Sequence, residues 1–225
     1  QRAFERRNSQ SVSSELERII KPLHGIRKVT AERMLASVNA TARVALNLSV
    51  DASALSARRE ASGRQISYNV LIAKAVSVAL RKYPYMNARL SRDEIWEFRT
   101  INIGIAVQTE QGLYVPVLRE VDRKEIDSLQ AEYLALVDRA KSGKLTSADF
   151  SGGTFTISNL GEEHIESFVP VINLPECAIL GVGAIQPKPV VEDANVVIRN
   201  MMMLTLVFDH RLVDGKPAGR FLNEI

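Results

Sequence analysis

The chain has 225 residues, 46% of them hydrophobic and 24% charged, with a formal net charge of +3. A domain of this size buries roughly 70% of its unfolded surface, so neither disulfides nor metals are needed to hold it together. Its one cysteine, Cys177, excludes an internal disulfide framework and a cysteine metal cluster, and no apolar stretch has the length of a membrane span. The basic excess is local, because the first thirty residues carry seven Lys/Arg against three Asp/Glu and the remainder is almost neutral. That distribution fits a basic linker rather than a nucleic-acid-binding face. Cys177 sits in an apolar context and reads as a buried, inert thiol. His24, His164 and His210 lack metal-ligand spacing.

Residues 1–17 are polar, serine-rich and aperiodic, as at the end of an interdomain linker; residues 18–225 form the predicted folded domain. Thr30 is expected to cap a helix through Glu32, Met34, Leu35 and Val38. The alternation of Val44, Leu46, Leu48 and Val50 with Ala45, Asn47 and Ser49 predicts a half-buried strand. Asp51 has the chemistry of an N-cap for a short helix ending before Gly63, and Ser67 that of a cap for an apolar helix from Asn69 to about Lys82, stopped by Pro84.

A hairpin around 91–94 leads to a strand over 101–107, which turns at Glu110-Gln111-Gly112 and returns over 113–118. Ile126, Leu129, Tyr133, Leu136 and Val137 form the apolar stripe of a helix closed by Gly143. Gly152-Gly153 precedes a strand at 154–158. About twenty residues with two prolines and several apolar side chains then form an ordered but irregular connection to a strand at 178–185. A last hairpin near Asp193–Asn195 leads to an apolar strand at 201–208, and the chain reaches Ile225 within an expected final helix. Interspersed helices and hairpins predict an α/β fold with a mixed β-sheet flanked by helices.

The most informative segment is Asp209-His-Arg-Leu-Val-Asp-Gly215, which places a histidine where a core strand ends. Polar groups there are costly unless hydrogen-bonded or functional, and taken alone a satisfied structural histidine is the commoner case. Four further motifs accompany it: Phe155-Thr-Ile-Ser-Asn-Leu-Gly161, Asn102-Ile-Gly-Ile-Ala-Val107 with Gly112-Leu-Tyr-Val-Pro-Val117, and Ala178-Ile-Leu-Gly-Val-Gly183. Pro22 to Met34 resembles an entry segment to the same set. In this order and spacing, residues 22–225 resemble the catalytic domain of the dihydrolipoamide acyltransferases, the core subunits of 2-oxoacid dehydrogenase complexes.

The resemblance implies a chloramphenicol acetyltransferase-like fold assembled as a trimer, with an active-site channel between two subunits. It implies His210 as general base from one subunit, Ser158 from its neighbour, and Asp214 in a structural ion pair for which Arg27 is an available partner. The substrates implied are coenzyme A and a dihydrolipoamide carried on a lipoyl domain that these residues do not contain; no metal is implied. The implied partners are the 2-oxoacid dehydrogenase and dihydrolipoamide dehydrogenase components and a homotrimeric core, extending to a 24-mer or a larger shell. Neither nucleic acid nor membrane is a partner on this reading. The location implied is the cytoplasm, or the mitochondrial matrix in a eukaryote.

The chemistry accounts for these residue types. A thiol with a pKa near 8.5 is mostly protonated at neutral pH, so a neutral imidazole that takes its proton during attack on a thioester contributes about 10²–10⁴-fold. A hydroxyl donor to the oxyanion adds about 10²–10³. Ser158 is then a donor rather than a nucleophile, and its plain alternative is a strand-end serine satisfying backbone. Asn159 either positions Ser158 or a substrate amide, or is simply a turn residue. His164 reads as an exposed loop histidine, and Arg211 is left undecided, a sheet-edge cation being its plainest reading. Asp209 is set aside as a partner for the imidazole because adjacent strand residues face opposite ways.

Where the family pattern runs Met-Phe-Gly, this chain has Glu162-Glu163-His164, which places charge near the channel and leaves acyl specificity open, with acetyl the default and a branched-chain group the reserve. Two rivals stand beside this reading: a stand-alone acetyltransferase with a small-molecule acceptor, and a non-catalytic scaffold subunit.

Overall fold

A computed structural model describes residues 18–63 and 65–225. The linker-like segment 1–17 lies outside the described residues. The first helix, α1 (Gly25–Ala40), starts five residues before Thr30. Thr30 is an interior residue whose hydroxyl donates back to the Ile26 carbonyl at 2.9 Å, the hydrogen bond of a mid-helix threonine rather than of a cap. Strand β1 (Arg43–Asp51) alternates as expected, with Val44, Leu46, Leu48 and Val50 packed against the core. In α2 (Ser53–Ala61) the cap position is Ala52, one residue beyond Asp51, and the Asp51 carboxylate accepts from the Ser53 amide at 2.8 Å. Helix α3 (Tyr68–Lys82) is capped by Ser67, as its sequence predicts.

Hairpin β2–β3 (Ala88–Ser91, Glu94–Glu97) stands apart as a two-stranded sheet. The next apolar run is broken into β4 (Ile103–Ile105) and β5 (Val107–Thr109), and its return into β6 (Gly112–Tyr114) and β7 (Val117–Leu118). Helix α4 (Ile126–Lys141) follows, and then a single turn, α5 (Ser147–Phe150), which the sequence reading did not anticipate. Its signal is a capping box in which Asp149 accepts from the Thr146 amide at 2.8 Å.

The remaining elements are β8 (Phe155–Asn159), β9 (Ala178–Val182), β10 (Gln186–Glu192), β11 (Asn195–Asp209) and α6 (Gly215–Glu224). Strand β11 is nearly twice the length of its apolar run, because residues 195–200 pair only with β10 in a hairpin that projects past the sheet.

The main sheet runs β1-β11-β9-β8-β4-β7, with β10 alongside β11. The β4–β8 and β8–β9 pairs are parallel and the others antiparallel, which makes this the mixed sheet expected. The alternation of side chains fixes what each face does. Phe155, Ile157, Leu180, Leu206 and Phe208 join Ile72, Val76 and Leu80 of α3 and Leu129 and Leu136 of α4 in the core cluster. Ile179 and Val207 point the other way and meet Ile172, from the irregular connection 160–177. That connection is ordered, as expected. The Ala184 amide donates to the Ile165 carbonyl at 2.7 Å, and the buried Ser37 hydroxyl donates to the Ile172 carbonyl at 2.6 Å. Two glycines let it lie flat on the sheet. A Cβ at Gly181 would stand 3.0 Å from Pro170, and one at Gly183 only 1.9 Å from the Glu166 carbonyl oxygen.

Candidate functional site

The turn after β11 is built around Asp209, not Asp214. Asp209 is the last residue of β11 and almost fully buried, and its carboxylate accepts from the Ala42 amide at 3.2 Å and the Arg211 amide at 3.1 Å. The Arg211 guanidinium grips it from the side, with Nε 3.0 Å from both oxygens and Nη2 2.5 Å from Oδ2. Burial raises the Asp209 carboxyl, but these hydrogen bonds and the Arg211 charge outweigh it and hold the group below the usual carboxylate range. Arg211 is therefore a specific partner rather than a sheet-edge cation. The His210 amide completes the turn by donating to the Ala42 carbonyl at 2.8 Å.

Fixed in this way, the His210 side chain projects outward and is 46% exposed, with its ring 6.0 Å from that of Phe208. Asp214 at the start of α6 is 83% exposed, and its carboxylate stands 3.7 Å from His210 Nδ1. That distance allows a charge–charge contact with an imidazolium but is too long for a hydrogen bond. The buried ion pair between Asp214 and Arg27 is thus not formed among the described residues. The buried carboxylate–arginine pair is Asp209–Arg211, two residues apart in sequence. Asp209 faces away from the imidazole, as strand alternation requires, and instead organises the turn behind the histidine.

Ser158 lies at the other end of the sheet. It is half-buried near the end of β8, on the face that carries the 160–177 connection, opposite Gly181. Its hydroxyl makes no hydrogen bond to another described residue, so it is free to donate. Gly181 is opposite Thr205, five residues before His210, and two strand spacings separate β8 from β11. On strand geometry Ser158 and His210 are about 20 Å apart within one chain. One copy therefore does not bring the pair together.

Asn159, one residue on, faces the helices. Its Oδ1 accepts from the Gly161 amide at 2.8 Å, as in the turn-asparagine alternative, and its Nδ2 donates to Asn69 Oδ1 at 2.8 Å. Asn69 Nδ2 in turn donates to the Tyr133 hydroxyl at 2.8 Å. Burial raises the Tyr133 hydroxyl above its ordinary pKa, the Asn69 hydrogen bond works against this, and the Glu162 charge reinforces it. Asn69, Asn159, Tyr133, Glu162 and His164 border a cavity of about 410 Å³ at this end of the sheet. His164 ends the short turn after β8 in a left-handed conformation and is exposed, as read from the sequence.

Asn69 carries no sequence signal beyond a helix start, and Tyr133, which sits on the apolar stripe of α4, turns its hydroxyl to Asn69. Its other omission is Glu176, buried beneath β8. The Glu176 carboxyl accepts from Thr156 Oγ1 at 2.6 Å and Asn173 Nδ2 at 3.3 Å, and burial pushes it up to about 8 against those bonds. The neighbouring Cys177 thiol is buried and pushed up to about 12, as befits an inert thiol. Among the described residues no helix is long and apolar enough to cross a membrane, and no cluster of three metal-ligating side chains occurs.

Known proteins resemble this chain over nearly its whole length. Residues 15–225 match the family described as 2-oxoacid dehydrogenases acyltransferase (catalytic domain). The dihydrolipoyllysine-residue acetyltransferase component of the Bacillus subtilis pyruvate dehydrogenase complex is 38% identical over 212 residues, which cover 90% of this chain and 48% of the relative. The dihydrolipoyllysine-residue succinyltransferase component of the Haemophilus influenzae 2-oxoglutarate dehydrogenase complex is 37% identical over 209 residues, 89% of this chain and 51% of the relative. The chain thus spans about half the length of the curated relatives it matches.

Among solved structures, the cubic core of a pyruvate dehydrogenase complex superimposes with a TM-score of 0.90 at 31% identity, over 95% of this chain and 91% of that one. A dihydrolipoamide acetyltransferase of Azotobacter vinelandii gives 0.90 at 32% identity, over 94% and 91% of the two chains. It was solved to investigate the role of a serine, a histidine and an asparagine in its catalytic mechanism. Its serine and histidine are as far apart in sequence as Ser158 and His210, and its asparagine follows the histidine by the spacing of Asp214. Chloramphenicol acetyltransferase, at a TM-score of 0.55 and 14% identity over 81% and 82% of the chains, shares the fold alone. A matching family over nearly the whole chain, relatives above one-third identity and a shared core architecture lead to one conclusion: this chain belongs to the 2-oxoacid dehydrogenase acyltransferase family and comprises its catalytic domain.

Proposed function

We propose that this domain transfers an acyl group between dihydrolipoamide on a lipoyl domain and coenzyme A, within the core of a 2-oxoacid dehydrogenase complex. The observation that carries the reading is the separation of Ser158 and His210 to opposite ends of one sheet, each free at a strand end, in a chain of this family. Two copies placed side by side supply a serine and a histidine to one site, and closure around a threefold axis gives every copy two neighbours.

His210 takes the proton from the attacking thiol as its sulfur bonds to the thioester carbonyl carbon. The resulting oxyanion accepts a hydrogen bond from the Ser158 hydroxyl of the neighbour. The carbon–sulfur bond to the leaving group then breaks and the imidazolium returns the proton to the departing thiolate, so the step is symmetric and no acyl-enzyme is needed. Asp214 stands 3.7 Å from Nδ1, beyond hydrogen-bond distance, and so does not hold the ring by a hydrogen bond.

Acetyl is the acyl group we assign, since the Bacillus and Azotobacter proteins carry that name; the succinyltransferase of similar identity makes succinyl the competing donor. The dehydrogenase and dihydrolipoamide dehydrogenase components are the proposed partners and the cytoplasm the proposed location. Transfer from acetyl-coenzyme A to free dihydrolipoamide, measured for wild type and His210→Ala with light scattering alongside, tests the reading. Activity that collapses in the variant while assembly persists is expected. Inactive wild type with acetyl, succinyl and branched-chain donors alike would leave a scaffold subunit as the better account.

A further inference from the structure

Asn159 and Ser158 are adjacent strand residues and so face opposite sides of the sheet. Any pull on the Asn159 side chain from the helix face turns the end of β8 and sets how far Ser158 projects on the other. The ladder to β9 fixes the backbone partners of both residues, with Ser158 opposite Gly181 and Asn159 opposite Val182. The direction of the side-chain hydrogen bonds on the helix face follows from one anchor. The Gly161 amide can only donate, so the Asn159 atom that receives it is Oδ1, and Nδ2 is left to donate to Asn69 Oδ1. Asn69 must then present Nδ2 to the Tyr133 hydroxyl. The chain is ordered from end to end and bridges β8, α3 and α4.

We propose that Asn69 and Tyr133 are positioning residues for the acyl-transfer site, clamping Asn159 from the helix face so that Ser158 is held at the height its oxyanion contact requires. This rests on the functional reading above. Neither residue touches the reacting atoms, since both lie on the helix-covered face, away from the Ser158 hydroxyl. Asn159 has its acceptor and one of its donors committed to Gly161 and Asn69, which makes it an anchor rather than a contact for a substrate amide. The burial that keeps Tyr133 protonated leaves it a neutral acceptor for Asn69 across the working pH range.

The test is a double-variant cycle on the whole protein with Asn69→Leu, Tyr133→Phe and the pair, reading kcat, both KM values, the unfolding midpoint and hydrogen exchange at the Gly161 amide. A misplacement of about an ångström costs up to about 100-fold. Asn69→Leu should therefore lower kcat by about 10- to 100-fold and Tyr133→Phe by about 3- to 10-fold, with each KM within about twofold. The double variant should be no slower than Asn69→Leu alone, because Tyr133 acts only through Asn69. Gly161 exchange should accelerate in all three. Effects that multiply, a loss confined to KM, a fall in kcat matched by a fall in unfolding midpoint, or unchanged Gly161 exchange would each overturn the assignment. Wild-type inactivity would instead count against the acyltransferase reading, and Gly161 exchange would still decide whether the clamp exists.

Discussion

Glu176→Gln isolates a single buried proton. In the folded protein burial holds the Glu176 carboxyl at about 8, well above its ordinary 4.5. Between those two values the folded state keeps a proton that the unfolded chain has released. Stability therefore stands at its full value below about pH 4.5, falls as pH rises across the window, and levels off above about 8. One proton is worth about 1.4 kcal/mol per pH unit, so this group alone removes about 3–4 kcal/mol between pH 5 and 8.

Glutamine keeps the volume and one acceptor for Asn173, and it loses the titration. Its amide can donate to Thr156 Oγ1 as the protonated carboxyl does, so the variant mimics the protonated state at every pH. Urea unfolding of both proteins from pH 5 to 9 should give curves that approach or cross as pH rises, with the variant gaining on wild type by about the slope of one proton. Parallel curves would mean that Glu176 does not carry a displaced proton, and the burial argument for it would fail.

Three further outcomes rest on backbone geometry and on the Asp209–Arg211 pair. Gly183→Ala should unfold the protein or detach the 160–177 connection, at a cost above about 3 kcal/mol, because the new Cβ would meet backbone at Glu166; near-normal stability would refute that close approach. Ala194→Gly should raise stability by about 0.5–1 kcal/mol, since Asp193 and Ala194 both hold positive φ in the β10–β11 turn; a fall in the unfolding midpoint would contradict that strain. Arg211→Ala should cost about 2–3 kcal/mol at neutral pH, below the full loss for a buried pair because the arginine is 45% exposed. Asp209 is held low in the wild type, so its contribution is present above the unfolded carboxyl pKa and disappears as pH falls through the folded one. The penalty of Arg211→Ala should shrink in acid, and a pH-independent penalty would remove Asp209 from the account.

Elements with a local signal were read correctly. The period-two alternation gave β1, Ser67 the start of α3, and the apolar stripe with Gly143 the extent of α4. Helix α1 was shortened because much of it is exposed and its first turn carries no capping side chain. Strand β11 begins at Asn195 rather than Met201: Val196-Val197-Ile198 continue its β-branched run beyond the polar break at Arg199-Asn200, and this stretch pairs only with β10. At the proposed site, His210 and Ser158 stand in sequence motifs and lie at strand ends in the fold. Their supports were not legible in the sequence, since Asn69 meets Asn159 across ninety residues and Tyr133 across sixty-four. Asp214 was favoured over Asp209 for the structural pair because only the fold tells a buried carboxylate from an exposed one.

A site divided between two copies has a consequence that no single-chain site can imitate. His210→Ala chains retain an intact Ser158, and Ser158→Ala chains an intact His210. If each site draws its histidine from one copy and its serine from a neighbour, random co-assembly of equal amounts reunites an intact pair in about a quarter of sites. Two nearly inactive proteins, dissociated, mixed and reassembled, should thus recover about a quarter of wild-type acyl transfer. Each protein taken alone through the same cycle should recover none. Because Ser158 and His210 are separated by the body of the sheet, refolding within one chain cannot supply the missing partner. No recovery from a mixture shown by light scattering to have reassembled would refute the shared site. The base and the oxyanion donor would then have to be sought within one copy, starting from the groups that surround His210 itself.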